Sequence, residues 1–181
     1  MSESLKTTLT SQKTQTAAKP QVAVAPANTA TTTPQPTRTE KELVGVNADL
    51  AQLVLDAQKT SKQYFECTDG LRTQAEQKAL VAKGASQTMN SLHLTGKAVD
   101  LVPFEFKKPR WEIPLCFIIA DEVFRLARER KIPLRWGGAW NCRDITQTNK
   151  SAETLHREYI DNCKINKRRP FIDAPHYELA G

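Results

Sequence analysis

The stretch Ser91-Leu92-His93-Leu94-Thr95-Gly96-Lys97-Ala98-Val99-Asp100 decides how the rest of the chain is read. Gly96 breaks it into two short segments, and the residues from Ala98 to Val102 alternate as a strand does. Positions 86 to 101 are therefore predicted to form a tight hairpin turning at Thr95-Gly96. In that register His93 lies opposite Ala98, and Asp100 stands two residues further along the same face. An imidazole and a carboxylate are thus expected to converge.

Working outward on the N-terminal side, Thr73 and Glu76 have the spacing of a capping box. They predict a helix over Gln74 to Lys83, stopped by Gly84. Before it, Tyr64 to Cys67 reads as a short strand ahead of the Asp69-Gly70 turn. Val46, Leu50, Leu53, Val54 and Ala57 then place one apolar stripe on a helix ending near Lys59. On the C-terminal side, Ile113 to Arg130 is the predicted core helix, with Leu115, Ile118, Ile119, Val123, Leu126 and Ala127 on its inner face. Arg128, Arg130 and Lys131 are expected as a solvated cationic end. Leu134 to Trp136 reads as a strand, Ser151 to Cys163 as a helix with His156 exposed, and Phe171 to Leu179 as a last strand. Trp136 and Trp140 suit either the lining of a sugar or peptide cleft or the core, and beside a strand the core is the expected place. The element order predicts an α+β fold, helices packed on a small, mainly antiparallel sheet.

Of 181 residues, 39% are hydrophobic and 25% charged, and the polar excess is concentrated at the N-terminus. Residues 1 to 40 contain no aromatic residue and no glycine but many Thr, Ala, Gln and Pro, so they are expected to form a disordered arm ahead of one domain over 41 to 181. No run approaches the roughly 18 apolar residues of a membrane span. Stable membrane insertion is not expected, and Met1 to Lys6 does not open a secretory signal. A cytoplasmic product is therefore expected. The net charge of +6 is weakly suggestive of an anionic partner, but only Lys164, Lys167, Arg168 and Arg169 cluster, as a solvated loop face would, and no nucleic-acid partner is expected. Cys67, Cys116, Cys142 and Cys163 show no C-x-x-C spacing and read as buried or incidental thiols.

The chemistry-bearing residues gather in the first stretch and in Asp173-Ala174-Pro175-His176-Tyr177-Glu178-Leu179. His176 adds a second imidazole to His93 and Asp100. Two His and one Asp leave one corner of a tetrahedron open, which is the arrangement of a catalytic zinc ion and not of a structural one. Asp173, three residues before His176, is placed to arrive with that ligand while the Ala174-Pro175 turn holds it off the ion. It is the expected catalytic base, because a zinc ion acidifies a water and polarises the carbonyl under attack.

The pattern Ser91-x-His93-x-x-Gly96-x-Ala98-x-Asp100 with Asp173-x-x-His176 resembles the M15 zinc peptidases, which include D-Ala-D-Ala carboxypeptidases, dipeptidases and phage endolysins. Gly70-Leu71-Arg72-Thr73 with Glu76-Gln77, and Leu134-Arg135-Trp136-Gly137-Gly138-x-Trp140, resemble the L-alanyl-D-glutamate endopeptidase branch of that family. The likeness covers about residues 43 to 179. It implies a hedgehog/D-Ala-D-Ala peptidase-like fold, Zn2+ on His93, Asp100 and His176, Asp173 as base, and Arg72 as a contact to substrate or oxyanion. A fixed guanidinium suits either role of Arg72. Ser91 and Glu178 are expected to orient ligands. The segment from Asn141 to Pro170 is longer than in compact members and contains an apparent helix.

The expected function is cleavage of the peptide stem of bacterial peptidoglycan, between L-alanine and D-glutamate, by a monomeric endolysin that reaches the wall after release through the membrane. Two alternatives stand beside it. One keeps the zinc site and changes the substrate to a terminal D-Ala-D-Ala. The other is a zinc-containing binding module without catalysis, against which a poised Asp173 argues.

Overall fold

The computed structural model describes residues 35–181. The arm expected over 1 to 40 lies outside the described residues as far as position 34. Beyond that, helix α1 (Arg38–Glu42) begins inside the expected arm, closed by a capping box between Thr37 and Glu40 and holding Thr39 buried. Helix α2 (Ala48–Thr60) starts at an Asn47 cap and buries Leu50, Leu53, Val54 and Ala57, the stripe read from the sequence. Strand β1 (Phe65–Asp69) follows, then α3 (Gln74–Ala82) with the expected capping box of Thr73 and Glu76.

The hairpin expected over 86 to 101 does not form. Leu92–Thr95 is a short 3-10 turn, capped by Ser91 and ended by left-handed Gly96, and only β2 (Ala98–Glu105) is extended. The physical reason is that both edges of β2 at this end are already taken, one by β1 and the other by β5 (His176–Leu179), so residues 86 to 95 have no strand to pair with. A side chain at Gly96 would also collide with the Gly45 carbonyl. A two-residue β3 (Lys108–Pro109) pairs with the far end of β2.

Helix α4 (Ile113–Arg130) has the expected bounds but a rotated face. Cys116, Ala120 and Phe124 join Ile119, Val123, Leu126 and Ala127 inside, while Ile118 is exposed and Leu115 half-buried. Its cationic end is exposed at Arg130 and Lys131 as expected, and it is also tied down: Arg128, half-buried, donates to the Lys150 carbonyl at 2.8 Å and Arg130 pairs with Asp56 at 2.7 Å. Strand β4 (Leu134–Trp136) matches expectation, and α5 (Ala152–Ile165) accounts for the helix in the longer segment. The last strand is shorter than expected, because residues 171 to 175 are spent on a turn.

The sheet order is β1-β2-β5-β4, every pair antiparallel, with β3 added to β2. Alternation of side chains then divides it into two faces. Val99, Leu101, Tyr177 and Trp136 point into one hydrophobic core with α2 and α4, where Leu50, Leu53, Ile119 and Phe124 are fully buried. Each buried Leu, Ile or Phe there contributes about 1.5–3 kcal/mol. The intervening residues Asp100, His176 and Glu178 go to the opposite face, where Asp100 is directly paired with His176 and Ala98 with Glu178.

Candidate active site

On that second face the β2–β5 register brings together residues 76 positions apart. His176 Nδ1 lies 3.0 Å from Asp100 Oδ1. His93, carried in by its 3-10 turn, puts Nε2 3.2 Å from His176 Nδ1 and 3.3 Å from Asp100 Oδ1. Bonds of 2.0 to 2.1 Å to a tetrahedral ion imply ligand–ligand edges of about 3.3–3.4 Å, so the three atoms already have nearly the spacing an ion demands.

The outer hydrogen bonds fix which nitrogens face inward. His93 Nδ1 donates to the Gly70 carbonyl at 2.8 Å, which turns Nε2 toward the cluster as the nitrogen available to a ligand. His176 Nε2 donates to Glu178 Oε2 at 3.2 Å, turning Nδ1 toward the cluster. Three acceptor atoms then confront one another in a buried place, which is stable only around a shared proton or a cation. The donor set, two imidazoles and one carboxylate, fits zinc. His93, Asp100 and His176 therefore form a group able to hold a metal.

Electrostatics agree with the geometry. Burial would raise the Asp100 pKa, but the hydrogen bonds from His176 and His93 overcome it and hold the carboxyl well below its usual range. Burial opposes a charged His176, yet Asp100 and Glu178 push its pKa up to about 9. Glu178 is lowered despite burial, held by His176 and by Arg135 at 2.7 Å. Asp173 goes the other way: burial first, then the Asp100 charge, raises it.

Asp173 lines the same cleft as the three converging side chains, outside their cluster. Its carbonyl accepts from His176 N at 3.0 Å, closing the turn over Ala174-Pro175, and Trp136 Nε1 pins that turn through the Ala174 carbonyl at 2.7 Å. Its own N–H donates to the Gly137 carbonyl at 3.0 Å, and a side chain at Gly137 would strike the Asp173 backbone. The glycine is there so that the two backbones can touch.

Arg72 is buried at the cleft floor. Nη2 meets Asp69 Oδ2 and Nη1 meets Gln77 Oε1, both at 2.6 Å, and Nη2 is 3.8 Å from Asp100 Oδ2. Its Nε has no partner among the described residues. Ser91 acts on the backbone of His93, accepting from its N–H at 3.3 Å, and not on a ring nitrogen.

Some expectations need correction. Trp136 is core, but Trp140 is only half-buried and forms a wall of the cleft, stacked on Phe171 with centroids 6.1 Å apart. His156 is not exposed: it is half-buried beside Phe117, with Nδ1 donating to the Gly138 carbonyl at 2.7 Å. Asp69 and Phe171 were not singled out from the sequence as cleft residues. The one signal for Asp69 was its place, at a strand end beside Gly70 and Arg72. The cleft as a whole has a volume of about 290 Å³.

Comparison with known proteins places this architecture. The family profile described as phage L-alanyl-D-glutamate peptidase matches residues 35–180. The L-alanyl-D-glutamate peptidase of Escherichia phage T5 is 32% identical over 107 residues, covering 57% of this chain and 78% of that protein. The L-alanyl-D-glutamate peptidase of Listeria phage A118 is 36% identical over 72 residues, 39% of this chain but only 24% of that longer relative. Among solved structures, the L-Ala D-Glu endopeptidase ChiX of Serratia marcescens superposes with a TM-score of 0.58 at 33% identity, covering 78% of this chain and 86% of that one.

Proposed function

The chain belongs to the phage L-alanyl-D-glutamate peptidase family, and from that premise we propose that it cuts the L-alanyl-D-glutamate amide of the peptidoglycan stem with a zinc ion on His93, Asp100 and His176. It is a peptidase. The observation that carries the metal reading is the convergence of three acceptor atoms within 3.0 to 3.3 Å. When bound, the ion supplies a Lewis acid that polarises the scissile carbonyl and acidifies a water near neutral pH.

The chain's own groups do the rest. An Asp173 oxygen takes the proton from the attacking water and returns it to the departing amine nitrogen, a transfer helped by a pKa raised toward the working range. Glu178 holds the Nε2 proton of His176, and Gly70 O holds the Nδ1 proton of His93, so neither ring can present the wrong nitrogen. Arg72 adds fixed positive charge at the cleft floor for a substrate carboxylate or the oxygen that gains charge. Trp140 and Phe171 give the stem peptide an apolar wall. No helix among the described residues is long and apolar enough to cross a membrane.

The test is digestion of purified peptidoglycan with and without a chelator, with fragments identified by mass. The reading expects cleavage between L-alanine and D-glutamate, lost on chelation and restored by zinc. Release of terminal D-alanine alone would favour the carboxypeptidase alternative, and chelator-resistant cleavage would remove the metal.

A further inference from the structure

The hairpin between β2 and β3 carries a feature that the active site does not use. Glu105 pairs with Lys108, leaving Phe106 and Lys107 as a two-residue loop, and both have positive φ, 50° and 64°. That is the type I′ pattern, for which Asn-Gly is the favoured dipeptide. A phenylalanine in the left-handed region is unfavourable, and here packing does not compensate, because Phe106 is 96% exposed. Two more aromatic residues stand on the surface nearby. Trp111, just beyond β3, is 67% exposed, and Tyr64, whose carbonyl accepts from Phe104 N at 2.9 Å, is 56% exposed.

The charge around the tip is positive. Arg110 is held between Glu105 and Glu112, one guanidinium against two carboxylates, whereas Lys107 and Lys108 are exposed and make no ion pair among the described residues, which leaves the hairpin at +1 with its cations at the tip. Glu105, at the base of the tip, is five residues along β2 from Asp100, roughly 17 Å at strand rise, and no residue of the hairpin lines the cleft. An anionic polymer would satisfy the lysines but offers no apolar volume to Phe106. The interface of an anionic bilayer accepts both, since aromatic rings seat at headgroup level and lysines meet lipid phosphates.

We propose that this hairpin is a shallow membrane-interface anchor: Phe106 and Trp111 enter the headgroup region of an anionic phospholipid bilayer, and Lys107 and Lys108 contact its phosphates. The anchor holds the protein reversibly at a lipid surface and is independent of the peptidase reading. The test is co-sedimentation of the full chain with phosphatidylglycerol-containing vesicles and with pure phosphatidylcholine vesicles. The wild-type chain is expected to bind the anionic vesicles, less so as salt rises. The double substitution F106N/K107G places the favoured turn dipeptide in the loop. It is expected to weaken binding about 30-fold or more, from one aromatic and one cation lost, while Tm stays level or rises and cleavage of soluble muropeptides is unchanged. Should that variant not fold, quenching of wild-type tryptophan fluorescence by brominated lipid, lost in Trp111→Phe, reads the same contact. Equal binding to both vesicle types, full binding by a folded F106N/K107G, or binding to heparin with none to vesicles would each overturn the anchor.

Discussion

Along β2 and β5, Val99, Leu101 and Tyr177 turn one way, while Asp100, His176 and Glu178 turn the other. The strands are shared, yet the two faces are held by different physics. The helix-side face is apolar, and its stability is spread over many interchangeable burial terms. The cleft-side face depends on a few polar atoms at fixed spacing, where loss of one leaves its neighbours facing each other unsatisfied. A change on the first face should therefore lower stability with the chemistry kept, and a change on the second should remove chemistry with the fold kept.

Asp173→Ala is the sharpest way to separate the two. Turnover should fall about 10²- to 10⁴-fold, with zinc content and Tm near wild type; unchanged turnover would show that the base is another group. Phe124→Ala, from the opposite face, should cost about 3–5 kcal/mol by denaturant unfolding. In the folded fraction its zinc content should stay at the wild-type level, and coupled loss of metal would mean that the faces are not separable.

Smaller effects sharpen the same contrast. Glu178→Gln keeps the shape of the side chain but weakens its hold on His176, so zinc affinity should fall about 10- to 100-fold in a chelator competition. Equal affinity would remove Glu178 from the site. In the metal-free chain the raised value of His176, about 9, means that zinc must displace a proton. Apparent affinity should then rise about tenfold per pH unit between 7 and 9, with proton release visible by calorimetry in buffers of different ionisation enthalpy. The stability of the metal-free chain runs opposite: the His176 contribution is complete below the unfolded value of 6.5 and is lost as pH rises through about 9. A pH-independent affinity would contradict this protonation.

Much of this division was legible in the sequence, for a reason that follows from the faces themselves. Local periodicity marked α2, β4 and the bounds of α4, because an apolar stripe is written in consecutive turns. It misjudged the rotation of α4, since the small Cys116 and Ala120, which carry little apolar weight in a sequence pattern, are buried in place of Leu115 and Ile118. The supposed hairpin at Gly96 failed because strand pairing is not local: β5, which begins 80 positions after Gly96, occupies an edge of β2 that residues 86 to 95 would have needed. The same nonlocality hid Asp69 and Phe171 and left Trp140 open between core and cleft, since their place in the cleft follows only from the finished sheet. His93, Asp100, Asp173 and His176 were nonetheless visible, because few residue types can do such chemistry and this chain has three histidines in all.

The zinc content of the full chain after exhaustive dialysis, set beside His93→Ala, Asp100→Ala and His176→Ala, tests the central claim most directly. One zinc per chain is expected for the wild type and essentially none for each folded variant. Retention of stoichiometric zinc by any of the three would contradict the site assigned to these residues.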